Sequence, residues 1–336
     1  MASAVLTACG QESGTGSRPS TTTTPSAPKT LTLAEARAAM TDYDRRNNAA
    51  IVRAGAPAYD ESAWSAVDTE TTLAGDVYGT RVKKAKRAPA DSGGAGFSHD
   101  VRAVHGGGAR SADGQGRWAL VDVGTETAEG KTWRSMVAIV PATVAGSWKM
   151  SASMSGPAQI PIPKVVAGAV LTAPQRQQLA NMVPTVIRSI YVGNDDDLQQ
   201  NGLITALRRR TNAEETPGDK ATHGWSGTTD CRPWGTPKGT DASTAVVVGT
   251  PALRVARAQS ATLGVLSLDC EVTVQDADGD RKIKLEKAYA TAEGDDGSFK
   301  ERYVRRFVVS LLVSTPDQGK PVVIASSGAY AVPQGR

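Results

Sequence analysis

Two stretches of this chain open in the same way. Leu31-Thr32-Leu33-Ala34-Glu35 and, 140 residues later, Leu171-Thr172-Ala173-Pro174-Gln175 each set a threonine three residues ahead of a Glu or Gln, with a leucine before it. This is the capping-box pattern, in which cap and third residue satisfy each other's free backbone N–H groups, and it fixes two helix starts. Apolar residues then recur at helical spacing: Leu33, Ala36, Met40, Tyr43 and Ile51 after the first cap, Leu179, Met182, Val186 and Ile190 after the second. Pro184 is expected to kink the second helix. A further helix is expected from Glu61 to about Arg81, and its counterpart from Asp197 to Arg210. The period then changes to two. In the first half 117–124, 133–140 and 146–154 read as strands; in the second half 245–248, 253–258, 262–275, 282–290, 303–314 and 321–326 do. Helices first and an antiparallel meander second, done twice, predicts an α+β chain of two tandem units, each packing helices on one face of a curved sheet. The units are expected at 30–158 and 165–334, divided at the proline-rich Ser155 to Lys164.

That element order resembles the cystatin-like and NTF2-like group of cone-shaped α+β folds, a likeness that implies a fold and no activity. A narrower likeness lies in Tyr43-Asp44-Arg45-Arg46-Asn47-Asn48 followed by Glu70-Thr71-Thr72-Leu73-Ala74-Gly75-Asp76-Val77-Tyr78. These residues resemble the N-terminal pattern of a family of actinobacterial lipoproteins with no assigned reaction, over about residues 30–85. The resemblance implies a membrane-anchored protein of the cell envelope.

The N-terminus carries the same implication. Leu6-Thr7-Ala8-Cys9 resembles a bacterial lipobox, in which small residues admit the signal peptidase and the cysteine thiol accepts a diacylglyceryl group. Only eight residues, none of them Lys or Arg, precede Cys9, so the expectation is that a longer signal peptide belongs upstream of residues 1–9. Residues 10–29 contain no large apolar side chain and read as a Ser/Thr/Pro/Gly tether about 25 Å in root-mean-square span. Membrane lipid attached at Cys9 is the first expected partner, since two acyl chains anchor far more firmly than one. With Cys9 lipidated, Cys231 and Cys270 remain as an even pair. They read as a disulfide suited to export, or as two separate structural thiols.

Charge and residue counts narrow the rest. Lys and Arg number 38 against 34 Asp and Glu, a net of +4, which lacks the concentrated basic surface of a nucleic-acid binder. Three His and three Cys supply little for a transition-metal site, and no cofactor or metal is expected. No apolar run reaches the roughly 20 residues of a spanning helix. Arg81 to Arg87, with five cations in seven residues, and Arg208-Arg209-Arg210 read as solvated helix ends. Asp276-Ala277-Asp278-Gly279-Asp280 mimics a calcium loop but lacks the required Gly and Glu positions and reads as a turn. Asn194 to Asp197 reads as a helix cap. His99 and His105 read as exposed or capped, and Gly106-Gly107-Gly108 lacks the helix and Lys of a phosphate cradle.

The candidate ligand-binding residues are His223, Trp225 and Trp234, in a Gly/Thr/Pro-rich loop held by Cys231, where flat aromatic faces suit a sugar or peptide; packing onto their own domain is the plainer reading. No nucleophile elbow, zinc-protease, P-loop or dinucleotide motif occurs, so no catalytic residue is assigned. The expected function is a non-enzymatic, lipid-anchored envelope protein that binds an envelope polymer or protein. The alternatives are an extracytoplasmic hydrolase or isomerase using a pocket in an NTF2-like cone, or a small-molecule carrier. A deep pocket holding two convergent ionisable side chains favours the enzyme, a filled interior argues against it.

Overall fold

The computed structural model describes residues 31–89, 96–106, 117–127, 130–157, 161–166, 169, 171–192, 197–211, 225–238, 250–276 and 282–331. Cys9, the segment 10–29, His223 and the strand expected at 245–248 lie outside them. Both capping boxes form. Thr32 N–H donates to Glu35 Oε2 at 2.8 Å and Glu35 N–H returns to Thr32 Oγ1 at 3.2 Å, starting α1 (Leu33–Ala54). Thr172 and Gln175 repeat the exchange at the start of α3 (Ala173–Ile187), which passes through Pro184 into a π turn over Arg188–Val192.

The helix expected over 61–81 is split in two. A 3-10 turn (Glu61–Ala66) is followed by α2 (Glu70–Lys86), because residues 67–69 leave the helix to pair with a strand. Met150 N–H donates to Val67 O at 3.0 Å and Thr69 N–H to Met150 O at 2.9 Å, which buries Asp68 between them. In the second half α4 spans Gly202–Thr211.

The strands are β1 (Ser98–Val104), β2 (Ala119–Glu126), β3 (Thr132–Pro141), β4 (Trp148–Ser155), β5 (Trp225–Pro233), β6 (Leu253–Arg257), β7 (Ala261–Asp276), β8 (Arg302–Pro316) and β9 (Val322–Ala331). They form one antiparallel sheet in the order β1-β2-β3-β4-β9-β8-β7-β5, with β6 also on β7. The protein is therefore α+β, with the helices-then-strands order present twice in the chain, while the two meanders join in a single sheet. The joint is narrow, a single register pair, Ser155 with Ser326.

At that corner the sheet turns sharply enough for its halves to pack back to back. Trp118, Leu120, Met136 and Met154 of the first half share one buried cluster with Leu263, Val265, Leu312 and Ile324 of the second. The alternate residues point outward to the helices: Val121, Val123, Val137 and Ile139 toward α1, Leu266, Leu268, Leu311 and Val313 toward α3 and α4. Both faces of the central strands are thus covered, where the sequence pattern predicts one. Gly156 allows the corner, since a Cβ there would lie 2.1 Å from Ile324 O.

Two segments differ from the sequence expectation. The strand expected over 282–290 is instead a lone bridge, Ile283 with Lys300, followed by α5 (Lys287–Glu293). Ala288, Ala290 and Ala292 are buried there, and alanine, the best helix former, outweighs the short alternation of Ile283 and Leu285. The loop expected around Trp225 is β5, whose register sets Cys231 opposite Cys270 of β7; the two form a disulfide with Cα atoms 4.1 Å apart. Closing that 39-residue separation is worth about 4 kcal/mol on the chain-entropy account. Among the described residues, no helix is long and apolar enough to cross a membrane.

Candidate functional site: an acid-floored cleft in the N-terminal half

Between α1, α2 and the outward face of β1–β4 lies a cleft of about 710 Å³, within the range of small-molecule sites. Helix α1 contributes Tyr43 and Asn47, one turn apart on its buried face. Helix α2 contributes Thr72, Asp76, Gly79, Thr80 and Lys83, the spacing of one helical face. Strand β1 brings His99, and the aromatic rings of Trp64, Phe97 and Trp133 line the rest. Phe97 meets Trp133 edge-on with centroids 6.3 Å apart, and the Trp64 indole N–H donates to Thr80 Oγ1 at 2.8 Å, which fixes that ring.

The opposite face of α2 is fastened to the C-terminal half by polar contacts. Arg254 of β6 donates to Glu70, Thr71 Oγ1 lies 2.7 Å from Ser310 Oγ, and Tyr78 OH donates to Glu293 Oε1 at 2.7 Å. A second space of about 220 Å³ lies on this side, bordered by Gly75, Asp76, Ser327 and Gly328. Asp76 therefore borders both spaces.

Asp76 and Asp68 form the chemical centre. Tyr43 OH donates to Asp68 Oδ1 at 2.9 Å, while Asp68 Oδ2 is buried with no hydrogen-bond partner. Burial, and then the Asp76 charge, push the Asp68 carboxyl well above the usual range. Burial also pushes Asp76 up to about 6, although hydrogen bonding with Asp68 and the charge of Lys83 pull it back. Tyr43 is raised well above an ordinary phenol by burial and by Asp68. Burial and their mutual repulsion thus disfavour ionising both acids of the pair together. Such a pair can accept a hydrogen bond, exchange a proton, or hold a cation.

Of the two readings that the sequence offers for His99, exposed or capped, the second holds. Its ring is packed against Tyr43, with Nδ1 on Asp44 Oδ1 and its backbone N–H donating to Asp44 Oδ2 at 2.9 Å. His105 is largely buried, its Nε2 3.7 Å from Asp122, and burial lowers its pKa. Of the residues singled out from sequence, Cys231, Cys270 and Trp234 belong to the C-terminal half and none of the three lines the cleft. Trp225 opens β5, in register with Asp276; Trp234 is half-buried, with the Arg306 guanidinium 5.5 Å from its ring. The basic run at 81–87 ends α2, with Arg81 on Glu61 and Lys86 3.6 Å from Glu286. Among the described residues, no three His, Cys, Asp or Glu side chains converge as a metal site.

The residues that form the cleft were visible in sequence in one respect. Tyr43, Asn47, Thr72 and Asp76 all fall within 43–48 and 70–78, the two segments on which the expected family likeness rests. No protein-family model matches the chain, and no curated protein matches it.

Proposed function

We propose that this is a lipid-anchored protein of the cell envelope that binds a small molecule in the cleft of its N-terminal half. The observation that carries the reading is the cleft itself: a walled space of about 710 Å³ with aromatic sides and with Asp76 in its wall, backed by the buried Asp68. The envelope location is supported by the Cys231–Cys270 disulfide, which suits an oxidising compartment, and by the lipobox-like Leu6 to Cys9. Membrane lipid joined to Cys9 is the anchor, and residues 10–29 are the spacer. The non-enzymatic reading assigns no chemical step to the cleft.

A second reading, an extracytoplasmic hydrolase or isomerase, is favoured by one specific feature. Tyr43, Asp68 and Asp76 converge, and a carboxyl pushed up to about 6 is poised for acid–base work near neutral pH.

Two measurements test these readings. Intact mass of the N-terminal peptide from membrane-fraction protein is expected to show a mature chain starting at Cys9 and carrying diacylglycerol. An unmodified chain keeping Met1 would overturn the anchor. Organic extraction of the purified protein, followed by mass spectrometry, is expected to release a stoichiometric small molecule. Recovery of that molecule unchanged after prolonged incubation with the protein supports binding; its conversion to a new mass establishes the enzyme.

A further inference from the structure

Other strongly buried acids for which the described residues show a charged contact are met by a cation of the protein itself, Asp295 by Lys300. Asp122 accepts from Arg134, Asp269 from Arg232 and Arg306, Glu70 from Arg254, and Glu293 from Arg305. The pair at the cleft floor departs from this pattern. Arg46, the cation that acts on Asp68, spends its hydrogen bonds on Asp42 and the carbonyls of Ala66 and Trp148. Among the described residues no Lys, Arg or His makes an ion pair with Asp68 or Asp76. Burying a carboxylate without a cation is costly. Here the Asp76 carboxyl, with no cation paired directly to it, faces a cleft large enough for a ligand, with the buried Asp68 behind it.

The walls complete the pattern. Trp64, Phe97 and Trp133 surround the floor with aromatic rings, whose faces attract cations and whose area accommodates an apolar body. We propose that Asp76, with Asp68 buried behind it, receives the ammonium group of a small organic amine whose apolar part lies against Trp64, Phe97 and Trp133. This rests on the reading of the cleft as a binding site and adds the class of ligand it takes. The amine takes the place of the cation that the other buried acids named above have within the protein.

The remaining groups facing Asp76 set the pH dependence. Behind it stand Asp68 and Tyr43; Lys83 faces it from α2 and His99 from β1. Strands β2, β3, β4, β8 and β9 present only uncharged side chains there, Thr125, Trp133, Ser153, Val308 and Ser327 among them. With Asp76 pushed up to about 6, its charge is present above that pH and lost below it.

The test uses the full chain and three probes sharing one indole ring: tryptamine (cation), tryptophol (neutral) and indole-3-acetate (anion), titrated calorimetrically at pH 7.5 and pH 5. The expected result is tryptamine binding at least tenfold tighter than tryptophol at pH 7.5, indole-3-acetate weakest, with the amine preference shrinking at pH 5. Asp76→Asn is expected to remove the preference while tryptophol binding persists. Equal affinity for tryptamine and tryptophol in the unaltered protein would overturn the amine inference and leave the cleft reading standing. Failure of all three probes to bind would overturn both. The probe series needs no variant, so a misfolded Asp76→Asn does not shield the proposal.

Discussion

Halves of the chain that begin with the same cap end with opposite interiors. Counting the same 140 residues that separate Thr32 from Thr172, Ala39, Tyr43, Asn47 and Ala50 of α1 correspond to Leu179, Val183, Ile187 and Ile190. In the C-terminal half these four are buried together with Met182, Val186, Leu198 and Ile204 in one apolar cluster against β7 and β8. In the N-terminal half Ala39 and Ala50 are buried in a second apolar cluster, while Tyr43 and Asn47 line the open cleft beside it. The helix cap, the strands and the covered sheet face are common to both. What differs is side-chain volume and polarity at one helix face, so a binding cleft here requires few changes to a plan that otherwise yields a filled core. The polar face of α2 has no counterpart among the described residues of the second half, where α4 packs Ile204 and Leu207 inward. The hollow half also keeps its shape by leaning on the filled one, through the contacts of Glu70, Thr71 and Tyr78.

The largest expected effect comes from giving the filled half the residue that the hollow half already has. Leu179→Ala reproduces Ala39 in a site with no access to solvent and is expected to cost about 2–5 kcal/mol, lost transfer energy plus a cavity. Urea unfolding measures it. A loss below about 1 kcal/mol would mean that the C-terminal interior is loosely packed and that the contrast between the halves is one of degree.

A smaller effect, of unusual sign, belongs to the hollow half alone. A folded Asp76 holds its proton up to about pH 6, whereas an unfolded aspartate releases it near 3.9. Between about pH 4 and 6 the folded chain therefore binds more protons than the unfolded one, so this group's contribution to stability falls as pH rises through that window. Asp68, raised further, extends the decline upward. The exposed Asp60 and Asp317, whose carboxyls are lowered by hydrogen bonds to Ser62 and Arg257 respectively, act in the opposite sense at more acid pH. Asp76→Asn is expected to stabilise the protein at pH 8 by on the order of 2 kcal/mol, with little change at pH 4. Melting temperatures of the two proteins across pH check this; parallel profiles would show that Asp76 carries no buried charge.

Sequence pattern reached the shared features and missed the distinguishing ones for physical reasons. Capping boxes are local, so Thr32–Glu35 and Thr172–Gln175 were readable, as were β7 and β8 with their long β-branched runs. Strands β1 and β5 were not, because Ser98-His99-Asp100 and Trp225-Ser226-Gly227 have weak strand composition and are held by their neighbours β2 and β7. The break before α2 depends on β4, a strand some 80 residues away, and only that pairing buries Asp68. Asp76 in isolation looks like any surface carboxylate. Its clue was the face it shares with Thr72, Thr80 and Lys83, a polar stripe on a helix with little apolar face of its own.

The smallest expected change in stability goes with the most informative change in binding. Tyr43→Val with Asn47→Ile gives α1 the residues that α3 carries at Val183 and Ile187. Two effects oppose one another. The added apolar side chain at 47 covers surface that now faces the cleft, while loss of the Tyr43 hydroxyl strips Asp68 of the hydrogen bond that Tyr43 donates. Each is worth about 1–2 kcal/mol, so the net change is expected to stay within about 1 kcal/mol. Tryptophol and tryptamine binding should nonetheless fall at least tenfold, because Tyr43 and Asn47 shape the wall beside Asp76. Retention of probe affinity in a stable double variant would show that the cleft is made by α2 and the sheet alone, and that the α1 face is not what separates the two halves.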